Sequence, residues 1–435
     1  MVKKENIKEI KILKMKNERR KFIKKSATGL WGATMFSHLP ILGKDNKILY
    51  SKGLPADMFH EEAKDIPIVE ETDVIVCGGG PAGFAAAIAA ARTGANVRLI
   101  EVHGCLGGVW TAGMLAWLFD FDKPGITFEL TKELEKRGAR RGTNPSKFVY
   151  EIEEMKLLLE EKCLEAGVKF QLHTRVVAAY KLTTIITESK SGRQAWKGKN
   201  FIDATGDGDL GALAGCGWDY GYKDTGKTQP MTYMSLITVD KPEKISDFIS
   251  FYKGDGEHRK KWSAFLQELR LADIDPSYGN PTLFQVKDNL IALMINHQYG
   301  VDPFNADQMT TATVNGRAEV NKVVRALRRL GGKWEGVKLV ASCEQIGVRE
   351  GRRLHGHYTV TDSDLIMGVR HKDAIARVTF GIDIHAATKD ENDKDTIKNA
   401  NSEGLRAKPY DIPIRALIAK DVDGLLMAGR CISGD

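Results

Sequence analysis

The sequence has no CxxC pair, although six cysteines are scattered through it at Cys77, Cys105, Cys163, Cys216, Cys343 and Cys431. Without close spacing they fit neither a zinc nor an iron–sulfur site nor a disulfide scaffold, and they read as small buried hydrophobes. No Walker-type lysine follows a glycine loop, no Ser-His-Asp arrangement is visible, and no cluster has the spacing of a metal site, so no metal is expected. Internal repeats and low-complexity tracts are also missing. The best apolar run, Ala27 to Leu42, is short and broken by Gly, His and Pro, which argues against a membrane span.

A basic face is missing too, despite a net charge of +7. Residues 1–25 hold eleven Lys and Arg against three Asp and Glu; removing them from the chain's 64 basic and 57 acidic residues leaves 53 against 54. The body is nearly neutral, which gives no electrostatic case for a nucleic-acid partner. The positive charge belongs to the leader. There, Glu18-Arg-Arg-Lys-Phe-Ile-Lys-Lys25 precedes the weak apolar run and resembles a twin-arginine export signal. Met15 is an alternative start. No clear small-x-small cleavage site follows, which leaves room for a leader retained as a membrane anchor, and a basic amphipathic or disordered tail is the plain alternative. The expected location is exported or periplasmic.

What the chain has in quantity is glycine, 43 residues in 435. Glycine costs entropy on folding and is kept where backbones turn sharply or approach something closely. The densest use follows the apolar run Asp73-Val-Ile-Val-Cys77, which reads as a buried parallel strand. Gly78-Gly79-Gly80-Pro81-Ala82-Gly83 comes next, then an alanine-rich helix to Arg92, a stop at Gly94, and a second strand from Asn96 to Ile100 that ends on Glu101. In this frame Gly78 permits the turn, Gly80 lets the backbone approach a pyrophosphate, and Gly83 lets helix and strand pack. The helix N-terminus, with Pro81 and Ala82, offers free N–H groups to phosphate, and Glu101 is placed for ribose hydroxyls and against a 2′-phosphate.

Three further segments resemble FAD-dependent oxidoreductases with a glutathione-reductase-like Rossmann core. Gly104-Cys-Leu-Gly107-Gly108-Val-Trp-Thr111 matches the family's double glycine, which runs along the ribityl and pyrophosphate. A helix from Tyr150 to Ala166 and a strand Val168–Leu172 lead to Val176, at the family's adenine contact. Phe201-Ile-Asp-Ala-Thr205-Gly206-Asp207-Gly-Asp209 matches its second flavin motif. Gly424-Leu-Leu-Met-Ala-Gly429-Arg430-Cys-Ile-Ser-Gly-Asp435 resembles its last, with an acid near the ribityl chain, and Arg415 lies in a segment that commonly precedes it. The resemblance implies FAD as cofactor and a helix continuing beyond this last turn, so the sequence is expected to be a fragment that stops inside its last flavin-contacting segment.

The expected fold is α/β: an FAD/NAD(P)-binding Rossmann-like parallel sheet with an inserted α+β substrate domain. The divisions are 1–42 leader, 43–70 linker, 71–218 flavin core, 219–340 inserted region and 341–435 return to the core. Within the insert, strand character runs from Thr232 to Val239, helical spacing over 243–272, and a helix from Ala306 to Leu330 before Gly331-Gly332. Lys389–Glu403 reads as an exposed polar loop.

The densest polar cluster, Gly347-Val-Arg349-Glu350-Gly-Arg352-Arg353-Leu-His355, resembles an Arg-Glu-x-Arg-Arg signature of the family's bacterial branch. Arg349 is the candidate clamp for an anionic or polyhydroxylated substrate, against an internal ion-pair network in which Glu350 neutralises its neighbours. His385, in Phe380-Gly-Ile-Asp-Ile-His385, is the candidate proton-transfer group, against a satisfied core histidine. His103 lies too near the adenine end for covalent flavin attachment. These readings favour hydride transfer between a small polar substrate and flavin N5, with an unassigned electron acceptor. The alternatives are a non-redox flavin-dependent lyase or isomerase and a non-catalytic dinucleotide-binding protein.

Overall fold

A computed structural model describes residues 41–42, 48–49, 61–141, 148–250, 258–390 and 407–435. Most of the proposed leader, of the linker and of the Lys389–Glu403 loop lies outside the described residues. The chain divides into a unit over Met1–Ala63 and a unit over Lys64–Asp435. In the first, the strands Ile41–Leu42 and Ile48–Leu49 pair antiparallel.

The second unit is built on a seven-stranded sheet. Strand β1 (Ile68–Cys77) enters the glycine turn, α1 (Pro81–Arg92) leaves it, and β2 (Val97–Ile100) returns beside β1. Pro81 suits the first helical turn, where its missing N–H would be unpaired anyway, and the alanines that follow cost no side-chain entropy. The strand expected at residue 73 begins five residues earlier, because Ile68–Thr72 pair along Ala195–Gly198 and Glu70 binds both Arg98 and Lys169.

Helix α2 (Ile126–Lys136) and helix α3 (Ile152–Glu165) precede β3 (Lys169–Gln171), which pairs parallel with β2. A meander follows: β4 (Arg175–Tyr180), β5 (Thr184–Ser189) and β6 (Gly192–Asp203). The twelve-residue β6 works with different partners along its length. Gly192–Lys197 pair antiparallel with β5, whereas Phe201–Asp203 pair parallel with a strand near the end of the sequence, and β1 runs along its other edge. The parallel order is therefore β3-β2-β1-β6 and then that late strand. One face of this sheet is covered by α1 and α3, through Phe84, Ile88, Leu99, Met155 and Leu159. The other carries Ile75, Trp196, Phe201 and Cys431. All six cysteines are free and buried.

After the short α4 (Asp209–Leu213) comes a second, five-stranded sheet. It comprises β7 (Ser235–Thr238), β8 (Ile249–Ser250), β9 (Thr282–Lys287), β10 (Leu290–Met294) and β11 (Lys338–Ser342), in the order β8-β9-β10-β7-β11. Two helices pack on it: α5 (His258–Leu271) and α6 (Ala306–Leu330). The bounds of α6 agree with those read from its apolar spacing; Asn305 caps it by accepting from the Asp307 and Gln308 N–H groups. The continuous helix expected over 243–272 is instead a 3-10 turn (Pro242–Ile245), β8 and α5, with 251–257 outside the described residues. Pro242 starts the turn, and Ile249–Ser250 have a strand to join in β9. The late strand that completes the first sheet is β12 (Leu425–Met427). Among the described residues no helix is long and apolar enough to cross a membrane.

Candidate functional site

At the carboxyl ends of β1, β2 and β6 lies a cavity of about 300 Å³. Its floor is the glycine turn. Gly78 has φ +100°, and a side chain there would overlap the Ala204 carbonyl; a side chain at Gly83 would overlap the Gly78 carbonyl. Those contacts bring α1 hard against the sheet. Gly80 differs: a Cβ there would meet nothing within 4 Å, because that face looks into the cavity. The first turn of α1 thus presents Gly80, Pro81 and Ala82 to open space. Such a helix start, with unpaired N–H groups and the positive end of the dipole, suits a phosphate.

The wall is assembled from segments distant in sequence. Glu101, Val176, Gly108, Thr205, Gly206, Gly429 and Arg430 all line it. Glu101 is buried, at 4% exposure, with Oε2 accepting from the Gly79 N–H at 2.5 Å and Oε1 from the His103 N–H at 2.8 Å. A carboxylate has about four acceptor sites, so two bonds leave capacity for ribose hydroxyls. His103 also lines the wall, and its Nδ1 lies 3.6 Å from Glu344.

Four residues chosen from the sequence stand off the wall. Gly83 and Gly107 lie behind it, and the Gly107 N–H donates to the Gly79 carbonyl. Asp207 is turned to Arg430, whose Nη1 donates to it at 2.9 Å, and Asp209 takes its place on the lining. Burial raises the Asp207 carboxyl above its ordinary range while Arg430 pulls it back. Asp435 accepts from the Asp362 N–H instead of facing the cavity.

Asp203, passed over in the sequence, is the brace of this corner. Fully buried, it accepts from the Thr205 N–H and Oγ1 through one oxygen and from the Gly211 N–H through the other. Burial raises its carboxyl, and these bonds oppose the rise. The signal was present as the acid ending an apolar strand one turn before Thr-Gly.

Gln345, Gly347 and Val348 continue the wall, and Arg349 follows directly in the chain. Its Nε donates to the Pro230 carbonyl at 3.0 Å, and Nη2 to Thr232 Oγ1 at 3.0 Å, with His297 Nε2 3.3 Å away. His385 joins the same cluster. Its ring lies 5.0 Å from His297 at 90°, and Tyr278 packs on both, at 4.0 Å from His297 and 5.9 Å from His385. The Gln229 side chain holds the His385 N–H through Oε1. Burial, then Arg349, lowers His385 to about 3, and the same causes hold His297 well below the ordinary histidine range. Burial also lowers Arg349 and pushes Tyr278 up to about 12.

The two catalytic candidates therefore meet, through residues that carried no motif. His297, Tyr278 and Gln229 were missed because only the fold of the second sheet and its loops brings them together. The expected Glu350 network is corrected: both Glu350 oxygens accept from Gln229, not from arginine. Arg352 pairs with Asp209 and stacks 3.8 Å over Phe304, while Arg353 donates to the Gly434 and Gly221 carbonyls. Arg415 pairs with Asp373. No group of three His, Cys, Asp or Glu among the described residues could hold a metal.

Comparison with known proteins adds the family. The model of the FAD dependent oxidoreductase family matches residues 73–435. Dihydrolipoyl dehydrogenase of Trypanosoma brucei brucei is 30% identical over 152 residues, which is 32% of this chain and 31% of that protein. The chain thus aligns with about a third of the length of that relative. Among solved structures, a geranylgeranyl bacteriochlorophyll reductase-like protein of Thermoplasma acidophilum is 15% identical, with a TM-score of 0.39 over 67% of this chain and 68% of that one. The p-nitrophenol 4-monooxygenase of Pseudomonas putida is 12% identical, with a TM-score of 0.40 over 67% and 71%. By the family match, this chain belongs to the FAD-dependent oxidoreductase family.

Proposed function

We propose, from the premise of that family membership, that the enzyme oxidises or reduces a small polar substrate held at the junction of the glycine cavity and the Arg349–His385 cluster. The observation that carries this reading is the convergence of Arg349 and His385 on His297, with Arg349 following the cavity-lining Gln345, Gly347 and Val348 in the chain.

FAD, when bound, supplies the hydride chemistry. The chain's own groups would hold it: the α1 N-terminus and Gly80 at the pyrophosphate, Glu101 at the ribose, Val176 beside the adenine, and Gly108 with Thr205-Gly206 along the remaining wall. Arg349 orients the substrate through permanently charged, fixed donors. His385 handles the proton. In this reading the hydrogen sits on Nε2, the nitrogen on the side of Asp383 (4.0 Å from Oδ2), and the Nδ1 lone pair receives a substrate proton. The ring is neutral at physiological pH, as an acceptor must be.

An absorbance spectrum of the purified protein tests the first part. Flavin bands, released on denaturation as FAD, are expected; a colourless protein that ignores added FAD overturns it. Substrate-dependent bleaching then tests turnover, which His385→Phe is expected to slow by about 10²-fold or more while leaving FAD content unchanged.

We also propose export through the twin-arginine-like segment at residues 18–25. Its support is the paired Arg19-Arg20 followed by Phe22 and an apolar run. Replacing both arginines by lysine is expected to leave the protein in the cytoplasm; unchanged export of that variant sinks the idea.

A further inference from the structure

Arg349 is a partly buried cation with no ion-pair partner among the described residues. Its neighbours use Nε and Nη2, while Nη1 has no protein partner and is not sealed from solvent. The nearby acids act on it only from beyond ion-pair distance: Glu350 is hydrogen-bonded by Gln229, and Asp383, whose side chain is half-exposed, stands beside His385. In the same cluster His385 is 8% exposed, and its Nδ1 is buried without a partner. A charge partly withdrawn from water without an ion pair and an orphaned buried nitrogen each cost stability, so their pairing points to a ligand that satisfies both.

The hydrogen positions around His297 follow from its partners. Tyr299 has one hydroxyl hydrogen and donates it to the Ser277 carbonyl at 3.0 Å, so toward His297 Nδ1, 3.3 Å away, it can only accept. His297 therefore carries its hydrogen on Nδ1 and turns the Nε2 lone pair to Arg349 Nη2. The His297 backbone N–H donates to Ser277 Oγ at 2.9 Å, and Ser277 is itself anchored by donating to Glu319. The ring is thus fixed in one tautomer, as an acceptor for the guanidinium. Protonating either imidazole would place a second positive charge beside Arg349.

We infer that Arg349 Nη1 and His385 Nδ1 together receive a small hydroxy-carboxylate, and that His297 is the positioning residue that aims the guanidinium. This rests on the oxidoreductase reading and supplies its substrate class. A neutral polyol would satisfy the hydrogen bonds of Arg349 but give it no ion pair; a carboxylate does both. A carboxylate oxygen against the His385 lone pair would be repelled, so that position takes a hydroxyl hydrogen.

The test is calorimetric titration of the full FAD-loaded chain with glycolate, lactate, malate, tartrate and gluconate, each against its neutral amide. At least one acid is expected to bind about tenfold or more tightly than its amide. Arg349→Gln is expected to remove that preference. His297→Phe should weaken acid binding by about tenfold, whereas His297→Gln, whose amide oxygen can accept from Arg349, should restore most of it. Acids that all bind no better than their amides to the unmodified protein overturn the inference without reliance on any variant. Equal acid affinity in His297→Phe overturns the positioning role. Bleaching by a neutral compound alone refutes the carboxylate and leaves the oxidoreductase reading intact; acid binding by a chain that takes up no FAD does the reverse.

Discussion

The flavin wall and the Arg349 cluster are neighbours built on opposite principles. The wall is backbone: glycines that bring α1 against β1 and β6, a helix start, and a few side chains that hold the turns. The cluster is side chain: a guanidinium, two imidazoles and a phenol packed where water is scarce. A cofactor shared by a whole family needs a fixed cradle, and backbone geometry provides one that tolerates little change. Substrate selection needs chemistry that can vary, and buried titratable groups provide it at a cost in stability.

Substitutions that separate the two halves test this contrast. The largest effect is expected at Gly83, where valine must displace the Gly78 carbonyl; a loss of more than about 3 kcal/mol and of bound FAD should appear in denaturant melts and flavin absorbance. Stable, yellow Gly83→Val would show that the cradle is less rigid than its contacts imply. Next is Asp203→Ala, which leaves the Gly211 and Thr205 donors unpaired and should cost about 2–4 kcal/mol.

The cluster should differ in its response to pH. His385 and His297 have folded pKa values below the ordinary 6.5, so the unfolded chain binds more protons between those values. Stability from burying each neutral ring is therefore complete above about pH 6.5 and falls as pH drops, by up to about 2 kcal/mol per ring at pH 5. Melts of the protein and of His385→Phe across this range check it; a variant with an unchanged slope would dismiss His385 as its source. The smallest effect is expected at a site belonging to neither region. Arg92 binds Glu129 through both nitrogens in the open, and Arg92→Ala should cost no more than about 1 kcal/mol and leave FAD content and acid binding unchanged.

The same contrast explains what the sequence disclosed. The cradle is local in the chain: strand, glycine turn, helix and acid follow in order, so Gly78, Gly80 and Glu101 were legible as a group. Helix α6 was legible to its ends because Asn305 and Gly331 punctuate a regular apolar spacing. Arg349 and His385 were visible only as isolated polar residues in family-like segments. Their partners Tyr278 and His297 leave no periodic trace, because loops around the second sheet deliver them and no local pattern requires their chemistry. Asp207 and Asp435 show the converse: acids at motif positions whose side chains are held by Arg430 and by the Asp362 N–H.

The divided pairing of β6 has a bearing on how the protein is made. Its early half can zip against β5 as soon as the meander emerges, since those residues are close in sequence. Its late half, which delivers Asp203 and the Thr205 turn, has Leu425–Met427 as a partner and must wait for them to leave the ribosome. Until then the corner of the cradle has an open strand edge. Synthesis should therefore yield a nascent chain with a formed first hairpin and an unsealed cofactor site, making flavin loading a late, post-translational event and that edge the place where a chaperone would be needed.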